Sequence, residues 1–142
     1  RDAQESRGLG DVYKRQVFEQ TAKWLDIYFS GKNPDFTPPL FLSSTSFRNE
    51  VWKILLTIPY GKIMTYGEIA KLMAENRGVE KMSAQSVGGA VGHNPISIIV
   101  PCHRVVGTDG SLTGYAGGVD IKEKLLKFEN VDMSKLFMPK SK

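Results

Sequence analysis

The chain is short of the residues that small domains use as staples. A single cysteine, Cys102, occurs in 142 residues, so no intrachain disulfide can form. One cysteine and two histidines also fall short of the four ligands of a structural zinc site, and neither metal nor cofactor is expected. No apolar run is long enough to span a membrane, and the first residues lack the apolar stretch of a signal peptide. Repeats and low-complexity tracts are absent too. The expectation is a cytoplasmic protein, in a compartment where a thiol stays reduced. Neither sign of charge dominates: 19 Lys and Arg against 15 Asp and Glu give a net charge of +4. Such a balance is compatible with an anionic partner without requiring one. What is present, 41% hydrophobic and 24% charged residues, suits an ordinary globular domain with one sizeable core.

Residues 1–16 are polar, contain glycine and lack sustained periodicity, which reads as a disordered or adventitious tail. From Phe18, the positions Phe18, Thr21, Ala22, Leu25, Tyr28 and Phe29 follow helical spacing and stop at Ser30-Gly31-Lys32-Asn33-Pro34. Residues 34–45, with Pro38-Pro39, read as an extended linker and mark the main domain boundary. Beyond it, Ser46 can cap a helix whose apolar stripe is Val51, Ile54, Leu55 and Ile58. Thr65-Tyr66-Gly67-Glu68 has capping-box spacing and predicts a short helix from Tyr66. Ser83 can cap another over residues 84–91, rich in small side chains and closed by Gly92-His93-Asn94-Pro95. Two short helices joined by a polar loop have the form of a helix-turn-helix.

Residues 96–100, rich in β-branched side chains, predict a buried extended segment that delivers Cys102. Thr108-Asp109-Gly110-Ser111 is a tight-turn sequence, and Gly114-Tyr115-Ala116-Gly117-Gly118 a loop whose glycines allow close backbone approach. Asp120 is placed to cap a last helix with the stripe Ile121, Leu125 and Phe128 and with Glu129 at its edge. The Met- and Lys-rich tail after Val131 predicts loose packing.

Chemistry concentrates in Val100-Pro101-Cys102-His103-Arg104-Val105-Val106. A thiolate is the reactive form of cysteine, and neighbouring His or Arg favours it. Cys102, His103 and Glu129 supply a thiol, an imidazole to take its proton and a carboxylate to orient the imidazole. The same residues also fit a buried cysteine and a solvated helix acid. Tyr66 alone fits a packed aromatic at a helix start, and Asn94 before Pro95 a turn residue.

The run Pro101-Cys102-His103-Arg104-Val105-Val106, preceded by Gly92-His93-Asn94-Pro95 and followed by Gly114-Tyr115-Ala116-Gly117-Gly118, resembles the O6-alkylguanine-DNA alkyltransferases. The resemblance extends over residues 47–130 and includes Ile58-Pro59-Tyr60-Gly61, Thr65-Tyr66-Gly67 and Val87-Gly88-Gly89-Ala90. It implies an α/β, mostly helical fold: a helix-turn-helix-containing C-terminal domain over residues 46–131, preceded over residues 17–45 by a remnant of the small N-terminal domain. The implied activity is irreversible, single-turnover transfer of an alkyl group from O6-alkylguanine, with O4-alkylthymine as a further substrate, in double-stranded DNA. The implied acceptor is Cys102 in a monomeric protein. Position by position, His103 acts through a water as base, Glu129 holds the imidazole, Asn94 braces the segment before the thiol, and Tyr66 helps extrude the nucleotide and hydrogen-bonds the leaving guanine. Backbone groups at Cys102, Val105 and Ala116 read the base and Tyr115 walls the pocket. The helix carrying Ala84, Gln85, Ser86, Gly88 and Gly89 enters the minor groove. Lys71, Arg77, Lys81 and Arg104 are candidates for phosphate attraction. Gln85 departs from the arginine that many relatives place where the flipped base was, and Ala116 stands where some have serine.

Two other readings compete. Related alkyltransferase-like proteins bind the lesion without repairing it but lack the cysteine, and an unrelated thiol hydrolase would need only Cys102 and His103.

Overall fold

The computed structural model describes residues 3–40, 44–94, 96–115 and 118–138, with side chains from residue 12. Ala116, expected to read the base through its backbone, lies outside them, as do Gly117 and Pro95. The chain divides into two compact units, Arg1–Phe41 and Leu42–Lys142.

In the first unit, helix α1 runs over Ala3–Phe29, so residues 3–16, expected to lack structure, are helical. The stretch is polar but proline-free and dominated by good helix formers such as Ala, Gln, Glu, Arg and Lys, and propensity decides where no apolar stripe does. The helix stops where expected: Gly31 takes φ +89° and the Lys32 amide donates to the Ile27 carbonyl, a left-handed cap that glycine accommodates without strain. Trp24 and Tyr28 stack with centroids 5.3 Å apart. The predicted stripe is displaced, for Phe18 and Phe29 are exposed.

The second unit holds four α-helices among its described residues. Helix α2, Ser46–Leu55, buries Val51, Ile54 and Leu55, and Ile58 just beyond it is buried as the spacing predicts. Its cap is Thr45, one residue earlier than expected, whose hydroxyl accepts from the Arg48 amide. Strand β1, Met64–Thr65, leads into α3, Tyr66–Arg77, whose Thr65–Glu68 capping box is complete and whose end is the left-handed Gly78. Helix α4, Ala84–Gly92, is capped by Ser83 and buries Val87, Ala90 and Val91. The Trp52 indole N–H donates to the Ala90 carbonyl at 2.8 Å, pinning α4 to α2 across the core.

Strand β2, Val105–Val106, pairs in parallel with β1, with Met64 opposite Val105. This pairing brings the first turn of α3 to the segment that follows Cys102. Helix α5, Val119–Phe128, closes the unit. The fold is mostly helical with a two-strand sheet, and among the described residues no helix is long and apolar enough to cross a membrane.

Four local expectations need correction. Residues 96–100 form turns rather than an extended segment: Ile98 takes φ 73°, and bonds from Ile99 to Ser97 and from Val100 to Ile96 fold the chain back. Helix α5 begins at Gly118 without a side-chain cap, so Asp120 lies in the first turn instead of capping it. Its buried face is Lys122, Leu125, Leu126 and Glu129, whereas Ile121 and Phe128 are exposed. The tail packs as well: Met133, Leu136 and Met138 cover Val106, Leu112, Leu126 and Val131, and Phe137 exchanges backbone bonds with Gly110 and Leu112.

Candidate active site

Pro101 breaks the preceding turns, and Cys102–Arg104 form one turn of 3₁₀ helix leading into β2. Adjacent side chains in that turn diverge, so Cys102 and His103 face different neighbours. Asn94, at the end of α4, spans the turns before the thiol: its amide donates to the Val100 carbonyl at 2.7 Å and its carbonyl accepts from the Ile96 amide at 2.9 Å. The thiol is nearly buried, 7% exposed. Burial raises its pKa, opposed by the Asn94 side chain and the charge of Lys122.

His103 is fully buried and its Nε2 lies 2.6 Å from Glu129 Oε2. Glu129 sits at the C-terminal cap of α5, also buried, and accepts further bonds from Arg104 Nε at 2.8 Å, Arg104 Nη2 at 3.1 Å and the Gly61 amide at 3.0 Å. A buried carboxylate held by a guanidinium and an amide stays ionised. It can then only accept, so Nε2 carries the proton and Nδ1 keeps a lone pair. Nδ1 is buried and has no hydrogen-bond partner among the described residues. Burial lowers the His103 pKa; Glu129 opposes the shift while the charges of Arg104 and Lys122 add to it, so the ring is neutral and able to take a proton. No direct hydrogen bond joins the Cys102 thiol to this ring among the described residues.

Arg104 was a phosphate candidate and is not available as one. It is 7% exposed, spent on Glu129 and on the Ile58 carbonyl at 2.8 Å, and stacked 5.7 Å from the Tyr60 ring centroid. Arg77 pairs bidentately with Glu50 at 3.0 and 3.2 Å, whereas Lys71 and Lys81 are exposed. Val105 is buried and its amide donates to the Cys102 carbonyl; the Cys102 amide donates to Val100.

Tyr66, first residue of α3, is held at its far end: the hydroxyl donates to the Thr113 carbonyl at 3.2 Å. Gly114 makes this approach possible, because a Cβ there would lie 2.6 Å from the hydroxyl and the residue takes φ +79°. Burial, with the charge of Cys102 second, pushes the Tyr66 pKa up to about 12. Tyr115 is raised by burial and by the same charge. A cleft of about 470 Å³ opens beside Tyr66, lined by Ala84, Gln85, Gly88, Thr108, Thr113 and Gly114. Ala84, Gln85, Ser86 and Gly89 form the exposed face of α4.

The structure thus joins His103 to Glu129, braces the turns before Cys102 with Asn94, brings Tyr66 and Tyr115 within electrostatic reach of the thiol and sets Gln85 at the cleft rim. Lys122, which the sequence does not mark as a site residue, is fully buried and donates to the Thr113 carbonyl at 2.7 Å. The spacing 122, 125, 126, 129 was the available signal. It is one helical face, hidden because two of its members are charged.

Residues 46–131 match the family described as 6-O-methylguanine DNA methyltransferase, DNA binding domain. The chain belongs to that family. A methylated-DNA--protein-cysteine methyltransferase of Methanosarcina barkeri is 48% identical over 118 residues, 83% of this chain and 72% of that protein. The crystal structure of Mycobacterium tuberculosis OGT in complex with DNA is similar, with TM-score 0.68 and 49% identity, covering 78% of this chain and 64% of that one. A more distant likeness is to S. pombe Atl1 in complex with damaged DNA containing O6-carboxymethylguanine, with TM-score 0.50 and 32% identity over 64% of this chain and 82% of that one. The matched methyltransferase domain contains every residue of the site.

Proposed function

We propose that this protein repairs alkylated DNA in the cytoplasm by moving the alkyl group of O6-alkylguanine onto Cys102. One observation supports the reading: in the turn that carries the buried thiol, His103 has Nε2 2.6 Å from Glu129 and a buried Nδ1 with no hydrogen-bond partner among the described residues, the arrangement of a ring that can accept a proton at Nδ1. The thiol proton passes through one bridging water to Nδ1, and Glu129, kept anionic by Arg104, stabilises the imidazolium that forms. The Cys102 thiolate attacks the alkyl carbon. An S–C bond forms as the C–O6 bond breaks, and the electron pair stays on guanine. Tyr66, released from Thr113, donates a hydrogen bond to that charge. The product is a thioether without a leaving group comparable to guanine, so each molecule reacts once.

The guanine oxygen lies inside the base stack, so the nucleotide must leave the duplex. The small exposed face of α4 suits close approach to the minor groove, and Gln85 hydrogen-bonds the base left behind. With both amides engaged, Cys102 and Val105 reach the extruded base through carbonyl oxygens, the Cys102 one by its second lone pair since it already accepts from Val105. Lys71 and Lys81 contribute phosphate attraction.

The test measures binding and transfer on one sample of duplex DNA containing O6-methylguanine. Wild type binds and removes the methyl group, and Cys102→Ala binds without removing it. Binding without transfer by wild type favours the non-repairing module instead.

A further inference from the structure

Lys122 is a fully buried ammonium that the acid–base relay does not use. Among the described residues its Nζ makes one hydrogen bond, to the Thr113 carbonyl at 2.7 Å, and no carboxylate pairs with it. That carbonyl also accepts the Tyr66 hydroxyl, and Nζ lies 5.9 Å from the Tyr66 ring centroid. A buried ammonium with two donors unspent is costly, and it is retained most readily where an anion visits.

Alkyl transfer, as read above, brings such an anion. Before the step the negative charge is on Cys102 Sγ; afterwards, with S–C made and C–O6 broken, it is on guanine. A lone anion in a water-poor pocket is unfavourable throughout, and a fixed positive charge nearby helps both ends of the reaction. Arg104, another buried cation, is already matched by Glu129. Among the described residues no carboxylate matches Lys122.

We propose that Lys122 is a positioning residue that fixes Tyr66 through the shared Thr113 carbonyl and supplies the counter-charge for the anion that passes from Cys102 to the leaving base. The inference rests on the alkyl-transfer reading. The titratable groups facing Lys122 are Tyr66 from α3 and Cys102 and His103 from the 3₁₀ turn, with Tyr115 facing Cys102 from the loop. The Lys122 charge favours the Cys102 thiolate, and the thiolate in turn favours charged Lys122. Burial pushes Lys122 down to about 8, so it is charged at neutral pH and loses its charge within the alkaline working range.

Single-turnover transfer is measured from about pH 6 to pH 10 for wild type, Lys122→Met and Lys122→Arg. Iodoacetamide alkylation of each DNA-free protein gives the thiol pKa. Wild type is expected to show a bell, falling above about pH 8 as Lys122 loses its proton. Lys122→Met should raise the thiol pKa, slow transfer at neutral pH about tenfold and turn the bell into a rise to a plateau. Lys122→Arg keeps a charge that does not titrate, so the thiol pKa stays near wild type and the alkaline fall disappears. An unchanged thiol pKa and rate in Lys122→Met overturns the proposal. So does a wild-type rate that shows no fall by about pH 10, a result that needs no variant to fold. Absence of transfer by wild type would overturn the reading of function instead, and the thiol pKa, measured without DNA, would still decide the role of the Lys122 charge.

Discussion

Replacing Glu129 by glutamine probes the relay with little change of shape. The two carboxylate oxygens accept four bonds: Arg104 Nε and the Gly61 amide on Oε1, His103 Nε2 and Arg104 Nη2 on Oε2. An amide keeps one acceptor oxygen and turns the other into a donor facing donors. At least two charge-assisted bonds are lost, worth about 1.5–3 kcal/mol each, and Arg104 is left buried without a counter-ion. The expected destabilisation is about 3–5 kcal/mol, a large share of the total stability of a domain of this size. In a chain of this length that lowers Tm by about 10–15 °C. Chemistry suffers separately. If the new amide N–H points at Nε2, the imidazole must carry its proton on Nδ1, and the lone pair that accepts from the bridging water is gone. General-base assistance is worth about 10²–10⁴ in rate, so transfer measured in single turnover on folded protein should fall within that range while DNA binding holds. Glu129→Gln with wild-type Tm and a rate within about threefold of wild type would refute both the ion-pair account and the tautomer argument.

Gly114→Ala should displace Tyr66, since the new Cβ meets the hydroxyl and φ is positive; a loss of about 1–3 kcal/mol by thermal melting and slower transfer are expected. Stability should vary with pH at both ends. His103 has its folded pKa lowered, so the unfolded state takes up the proton first and stability falls below about pH 6.5. Lys122 is lowered from 10.5 to about 8, so between those values the unfolded state holds more protons and stability rises with pH, by up to about 3 kcal/mol. Melts of wild type and Lys122→Met across this range check the second limb, which the variant should lack. Gln85→Arg adds a charge at the exposed start of α4, and DNA affinity should rise with a steeper salt dependence in a titration series.

Local signals were legible in the sequence wherever neighbouring residues decide the outcome. The Thr65–Glu68 capping box, the Ser83 cap and the stripe from Val51 to Ile58 are satisfied within a few residues of themselves, and the structure forms them as read. Cys102, His103 and Glu129 were legible as a set of chemical types, and the fold joins the imidazole to the acid. Arg104 and Lys122 were not legible. A charged side chain reads as solvent-facing, and what receives these two is a carboxylate on another element and a carbonyl in the loop before α5, neither of which a helical pattern announces. The turns over residues 96–100 were hidden for a similar reason. Their β-branched residues favour a strand, while Asn94 bridges both ends of the segment and bends it.

Single-use alkyl transfer to Cys102 is decided by intact-protein and peptide mass spectrometry after incubation with excess duplex DNA containing O6-methylguanine. The expected result is a single added methyl group, located on Cys102, with no further turnover however long the incubation. Folded, DNA-bound protein whose Cys102 stays unmodified, or which removes many methyl groups per molecule, would contradict it.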